Sequence, residues 1–171
     1  FYKTPEIHWD PDKRKGRPFY YFVYGAAVSE IILDTLTGES RVVCVDILHD
    51  VGRSINPAID KGQIEGGFVQ GLGWLSMEEL VYADNGTLMT HSPATYKIPT
   101  CSDVPNNWNI AFYEGQGNLA ETINRSKAVG EPPFMLAMSA FFAYSHALMS
   151  LQSQYPNLDS PATAERLYFA Q

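Results

Sequence analysis

The stretch from Asn56 to Leu80, NPAIDKGQIEGGFVQGLGWLSMEEL, constrains this chain more than any other. Asn56 followed by Pro57 fits a helix N-cap and a first helical position. A helix is expected from about Ala58 to Leu80, yet that span holds Gly62, Gly66, Gly67, Gly71 and Gly73. Each interior glycine costs a helix roughly 1 kcal/mol against alanine. Such a helix does not stand on its own propensity. Either another backbone must press against it, or a ligand must approach its first turns; the two demands are compatible.

The remaining elements follow from local signals. Residues 1–18 are rich in Lys, Arg, Pro and Asp and read as an extended or irregular lead-in to a unit covering 19–171. Phe19 to Asp34 and Arg41 to Leu48 are dense in aromatic and β-branched residues, and Gly38 sits in the turn between them, which predicts a β-hairpin. Strict alternation would turn Val42, Cys44 and Asp46 one way and Val43, Val45 and Ile47 the other, with Asp46 a buried or edge polar group. Val81 to Thr90, centred on Asn85-Gly86, reads as a second hairpin. Tyr96 to Pro99 reads as a short extended piece and Asn109 to Glu114 as a strand.

Phe134 to Leu151 carries no formal charge and has nearly the length of a membrane span. Ser139, Ser145, His146 and Ser150 favour a long helix buried in a globular core. Asp159-Ser160-Pro161 is expected to start a last short helix. The class is α+β: antiparallel hairpins packed with a glycine-rich helix and a long apolar helix.

Length and charge narrow the function. The 171 residues suit one domain with a sizeable core. A net charge of −7 argues against a nucleic-acid partner, which would want a basic face. Cys44 and Cys101 make no disulfide framework, so a cytoplasmic setting with reduced thiols is expected. The chain begins at Phe1 and shows no basic-then-apolar leader, which reads as an internal position of a longer protein.

Two positions carry chemistry. Glu131, in SKAVGEPPF, sits at or beside the N-cap of the helix that Pro132 or Pro133 opens, where Ser, Thr, Asp or Asn is preferred. Burial against Val129 and Phe134 would raise its pKa, and the positive helix end would lower it. That balance suits a general base near neutral pH; a solvent-exposed carboxylate that merely complements the helix dipole is the plainer alternative. Gln63 lies one turn into the glycine-rich helix. Its neutral amide can donate and accept toward a polar ligand, or it is a surface glutamine. The four histidines are scattered, and no zinc spacing, phosphate loop, cysteine nucleophile or other protein metal-ligand set is present.

GQIEGGFVQGLGWLSMEELVY, THSPATYKIP, NRSKAVGEPPFMLA and LDSPATAERL resemble, in order, segments of the molybdenum hydroxylases. The likeness runs from about Gly25 onward and looks closest to the molybdenum-binding part of bacterial xanthine dehydrogenases. It implies a C-terminal portion of a molybdenum-cofactor-binding domain. Glu131 would take a proton from the oxygen ligand of the metal, that oxygen would attack an electron-poor purine carbon, and hydride would pass to the metal's sulfido group. Gln63 would lie by the metal's oxo group, and Gly130 would help form the cofactor pocket. The implied cofactor is molybdenum-molybdopterin. Iron–sulfur clusters, FAD and NAD would serve in other parts of the parent enzyme. The implied substrates are hypoxanthine and xanthine, oxidised to urate. An aldehyde oxidase or another molybdenum hydroxylase is the sibling reading, and a non-catalytic packing module is the rival from another class. The resemblance further implies partners in the rest of the molybdenum domain and the iron–sulfur and FAD portion. The isolated chain is expected to be inactive and to self-associate through uncovered apolar surface, above all along the glycine-rich helix.

Overall fold

A computed structural model describes Lys3 and residues 7–171. Within the lead-in, β1 (His8–Asp10) and β2 (Lys15–Arg17) pair antiparallel, so this stretch is a small hairpin in its described part. β3 (Gly25–Leu33) and β4 (Ser40–His49) form the expected antiparallel hairpin, with Gly38 at φ 75° in the turn. β5 (Asn107–Phe112) adds to the other edge of β4, giving the order β3-β4-β5. This pairing is parallel, with Cys44 opposite Asn107 and His49 opposite Phe112. The sheet is therefore not built of antiparallel hairpins alone, because a helical crossover carries the chain back before β5 can pair.

That crossover begins with the glycine-rich helix α1 (Pro57–Ser76). Asn56 caps it as expected, its side chain accepting from the backbone N–H groups of Ala58 and Ile59, with Pro57 at the first position. The helix stops at Ser76, short of Leu80. The backbone N–H of Met77 and that of Glu78 both donate to Gly73 O, which closes the last turn. Ile64, Phe68, Leu72 and Leu75 recur at helical spacing and are buried. They meet Val45 and Ile47 of β4 in a single core.

Glycine is needed in α1 where backbone meets backbone. A Cβ on Gly71 would overlap Phe134 O and stand 2.8 Å from Ala137 Cβ. A Cβ on Gly67 would lie 3.1 Å from Pro133 Cβ and 3.3 Å from Phe134 N. The partner is a 3₁₀ helix, Pro132–Ala137, laid across this face. Gly62 and Gly66, in contrast, face open space.

The expected single helix from Phe134 to Leu151 is broken. The segment winds as the 3₁₀ helix before α2 (Met138–Met149) begins. Nor is α2 apolar-buried all round. Ala140, Tyr144, Ser145 and Leu148 face the core, while Phe142 and Met149 are exposed. No helix among the described residues is long and apolar enough to cross a membrane. Ser29 and Ser139 hydroxyls, 2.7 Å apart, tie β3 to α2.

Three smaller expectations also shift. In the hairpin register Val43 has no partner: Glu30 pairs with Cys44 and Ile31 with Val42. This bulge turns Val42 into the core beside Val45 and Ile47, and leaves Val43 half-buried. Asp46 lies exposed on the open sheet face, accepting from Asn109 Nδ2 at 2.7 Å. Around Asn85-Gly86 the chain turns tightly with Gly86 at φ 81°, but a single bridge, Tyr82 to Leu88, replaces a hairpin of strands, and Tyr96 to Pro99 joins no strand. The last helix, α3 (Ala164–Phe169), is capped by Thr163, whose hydroxyl accepts from Arg166 N, rather than by the Asp159-Ser160-Pro161 run. Uncovered apolar surface includes Ile59 and Trp74 on α1, as anticipated, and also Val28, Ile32 and Leu48 on the sheet.

His49, at the end of β4, is 1% exposed and its Nδ1 has no hydrogen-bond partner. Burial holds its pKa below the ordinary 6.5, against the opposing pull of the Asp50 carboxylate. The unfolded chain therefore binds a proton that the folded chain resists. Stability should be unaffected by this group above about pH 6.5 and should fall as pH drops below it. Urea midpoints measured from pH 8 to 5 check this, and His49→Phe should flatten the slope; an unchanged slope in that variant refutes the assignment. A second expectation concerns α1. Gly71→Ala should destabilise the chain by about 1–3 kcal/mol through overpacking. Gly66→Ala should stabilise it by up to about 1 kcal/mol through helix propensity. Thermal melts of both variants read the two signs directly.

Candidate active site

The segment that carries Glu131 is fastened at several points before it reaches the 3₁₀ helix. Gly52 and Ser126 form an isolated antiparallel bridge, and Arg53 N donates to Arg125 O at 3.0 Å. Lys127 N donates to Val51 O at 2.9 Å, and its Nζ lies 2.6 Å from Asp50 Oδ2. The Asp50 carboxylate also accepts from Gly52 N. Ala128 N donates to the Tyr21 hydroxyl at 3.0 Å, and Val129 packs on the core.

The loop leading into this segment closes around a buried amide. Asn118 is 2% exposed; its Nδ2 donates to Ser126 O at 3.2 Å and to Thr122 Oγ1 at 3.3 Å, and its Oδ1 accepts from Ala120 N. Thr122 donates to the same Ser126 carbonyl at 2.6 Å. Asn124 and Arg125 both take left-handed backbone conformations, with φ 53° and 55°. Non-glycine residues persist there only where surroundings over-determine them, and this hydrogen-bonded loop does so.

Glu131 is the N-cap of the 3₁₀ helix, as its proline neighbours imply, and its carbonyl accepts from Phe134 N at 3.0 Å. Its side chain makes no cap bond and is exposed. The expected burial between Val129 and Phe134 does not occur within this chain. Val129 turns to the core, and Phe134 stacks on Trp74 with ring centroids 5.3 Å apart. The carboxylate is left facing outward with no hydrogen-bond partner among the described residues.

Gln63 is also exposed, one residue before buried Ile64. The fold brings it to the same place: a Cβ on Gly130 would stand 3.5 Å from Gln63 Oε1. A Cβ on Gly67 would stand 3.4 Å from Gly130 O, so α1 and the GEPP segment touch along this edge. Sequence reasoning thus named three residues, Gln63, Gly130 and Glu131, that lie at one junction. It passed over Asp50, Lys127, Asn118 and Tyr21. The one available signal was a lone lysine beside the GEPP motif, whose acidic partner is 77 residues distant.

The donor set is a neutral amide, a glycine surface without a side chain, and an outward carboxylate. It fits a polar group held by hydrogen bonds on one side, with a proton acceptor adjacent. Gly62 and Gly66 keep the neighbouring edge of α1 free of side chains. The residues therefore leave room at this edge of α1 for a ligand with polar atoms.

Residues 1–105, which include Gln63, match the molybdopterin cofactor-binding domain family. The chain is 48% identical over 99% of its length to the xanthine dehydrogenase of Oryza sativa subsp. japonica, and 46% identical over 98% to the xanthine dehydrogenase/oxidase of Rattus norvegicus. It spans 13% of each of those proteins. Among solved structures, quinoline 2-oxidoreductase from Pseudomonas putida 86 superposes with a TM-score of 0.74 at 31% identity, covering 83% of this chain and 18% of that one. A Cu,Mo-CO dehydrogenase superposes at 0.76 and 26% identity, covering 86% and 18%. The chain therefore belongs to the molybdopterin cofactor-binding domain family.

Proposed function

We propose that this chain supplies the general base and one wall of the cofactor site of an enzyme that oxidises hypoxanthine and xanthine to urate. The observation that carries the reading is the meeting of Gln63, Gly130 and Glu131 at one edge of α1. The identity of 45% or more to xanthine dehydrogenases along nearly the whole chain favours a purine substrate over an aldehyde. When bound, molybdenum-molybdopterin supplies the two-electron oxidation, and the protein orients the reactants around it.

Each residue has a separate task in this reading. Gln63 hydrogen-bonds the cofactor through its amide without adding charge. Gly130 lets the ligand approach the backbone. Glu131 accepts the proton released as the purine is hydroxylated, with its free carboxylate oxygens as the acceptor. The remaining molybdenum domain would complete the pocket and supply the burial of Glu131 that this chain lacks. Iron–sulfur clusters and FAD in other parts of the parent enzyme would carry the electrons to NAD. Free thiols at Cys44 and Cys101 accord with a cytoplasmic setting.

In the full-length parent enzyme, Glu131→Gln should lower the rate of xanthine oxidation by about 100-fold or more while leaving molybdenum content unchanged. Stopped-flow reduction by xanthine measures the first and elemental analysis the second; near-normal turnover would sink the assignment. Gln63→Ala should cost about 1–3 kcal/mol of cofactor positioning, seen as weaker activity or lower molybdenum occupancy without unfolding. Wild-type values of both would make Gln63 an ordinary surface residue.

A further inference from the structure

We propose that Lys127, clamped by Asp50, is a positioning residue that fixes where Glu131 stands; the inference rests on the reading of Glu131 as the base. The side chains of Lys127 and Asp50 are 9% and 14% exposed, and their charged atoms lie 2.6 Å apart. Lys127 Nζ also sits 5.1 Å from the centroid of the Tyr24 ring. Tyr24 O in turn accepts from Asp50 N at 2.9 Å. The ammonium is thus held between a strand end and an aromatic ring.

A pair this enclosed contributes little net stability. The desolvation of both charges offsets most of their attraction, and apolar replacements of buried pairs are commonly neutral or stabilising. What the pair does supply is one geometry. Asp50 follows His49, the last residue of β4, so its carboxylate is tied to the sheet. Lys127 lies four residues before Glu131, and only Ala128, Val129 and Gly130 intervene. Ala128 is bonded to Tyr21, Val129 is packed, and Gly130 lies against Gln63 and Gly67. A shift at Lys127 therefore has no slack to absorb it before Glu131. Glu131 itself makes no side-chain cap hydrogen bond that would restore its position. Misplacing a catalytic group by about 1 Å costs on the order of 100-fold in rate.

The test uses the full-length holoenzyme. The double substitution Asp50→Asn/Lys127→Met removes both charges without stranding either one, and Lys127→Arg keeps the cation. The double variant should lose about 10- to 100-fold in kcat for xanthine, with KM, melting temperature and molybdenum content close to the parent. Backbone amides of residues 128–131 should exchange with deuterium faster than in the parent, in enzyme both with and without cofactor. Lys127→Arg should recover most of kcat and of the protection. Unchanged kcat with unchanged exchange overturns the proposal. So does a loss of kcat that follows a loss of molybdenum or of melting temperature, because the pair would then be structural only. Glu131→Gln, assayed in parallel, separates the two readings. If it stays active, the base assignment fails while the exchange data still judge the clamp. If it is inactive and the double variant is normal, the clamp alone fails.

Discussion

The contact of backbone with backbone between α1 and the 3₁₀ helix governs this structure. Gly71 admits Phe134 O where any side chain would collide, and at Gly67 a Cβ would crowd Pro133 Cβ at 3.1 Å and Phe134 N at 3.3 Å. Interiors pack at crystal-like density, so a contact of this kind sets the distance between two elements to within fractions of an ångström. That distance places Gly130 against Gln63. Two of the glycines that weaken α1 as an isolated helix, Gly67 and Gly71, are the ones that bring the 3₁₀ helix against it.

Local features were legible from the residues alone. The Asn56 cap, the Pro57 start and the Gly38 turn each depend on neighbours a few positions away, and each was found where expected. Glu131 and Gln63 were singled out through the motifs around them, and the approach of Gly130 to Gln63 is a fact of the fold. Non-local choices were hidden. Nothing within NWNIAF states that it will pair parallel to β4 rather than join a hairpin. The Val43 bulge depends on a register shared by two strands. Lys127 and Asp50 are distant in sequence, and neither looks unusual until the sheet and the loop meet. The apolar run from Phe134 to Leu151 misled for a different reason. Its composition reports burial and says nothing of the winding, which is 3₁₀ through Ala137 and α only from Met138.

The site shows an uneven division of support. Its backbone is fastened by the Gly52–Ser126 bridge, the buried Asn118 amide and the Lys127–Asp50 pair. The side chains proposed to act there, Glu131 and Gln63, are exposed. A rigid frame with open functional groups is the arrangement expected where a ligand completes the hydrogen bonding. The empty edge along Gly62 and Gly66 continues that opening.

The parallel pairing of β5 with β4 also bears on how the chain reaches this state. Within the three-stranded sheet, only the β3–β4 pairing joins strands close in sequence; β5 pairs across the long loop that runs through α1. α1 lacks the intrinsic stability to wait as a preformed rod. Helix, third strand and 3₁₀ helix are joined by contacts of high sequence separation, the kind whose loop-closure cost slows folding. Gln63 and Gly130 become neighbours only through such contacts. A chain that kept its hairpin without them would lack the junction proposed as the site.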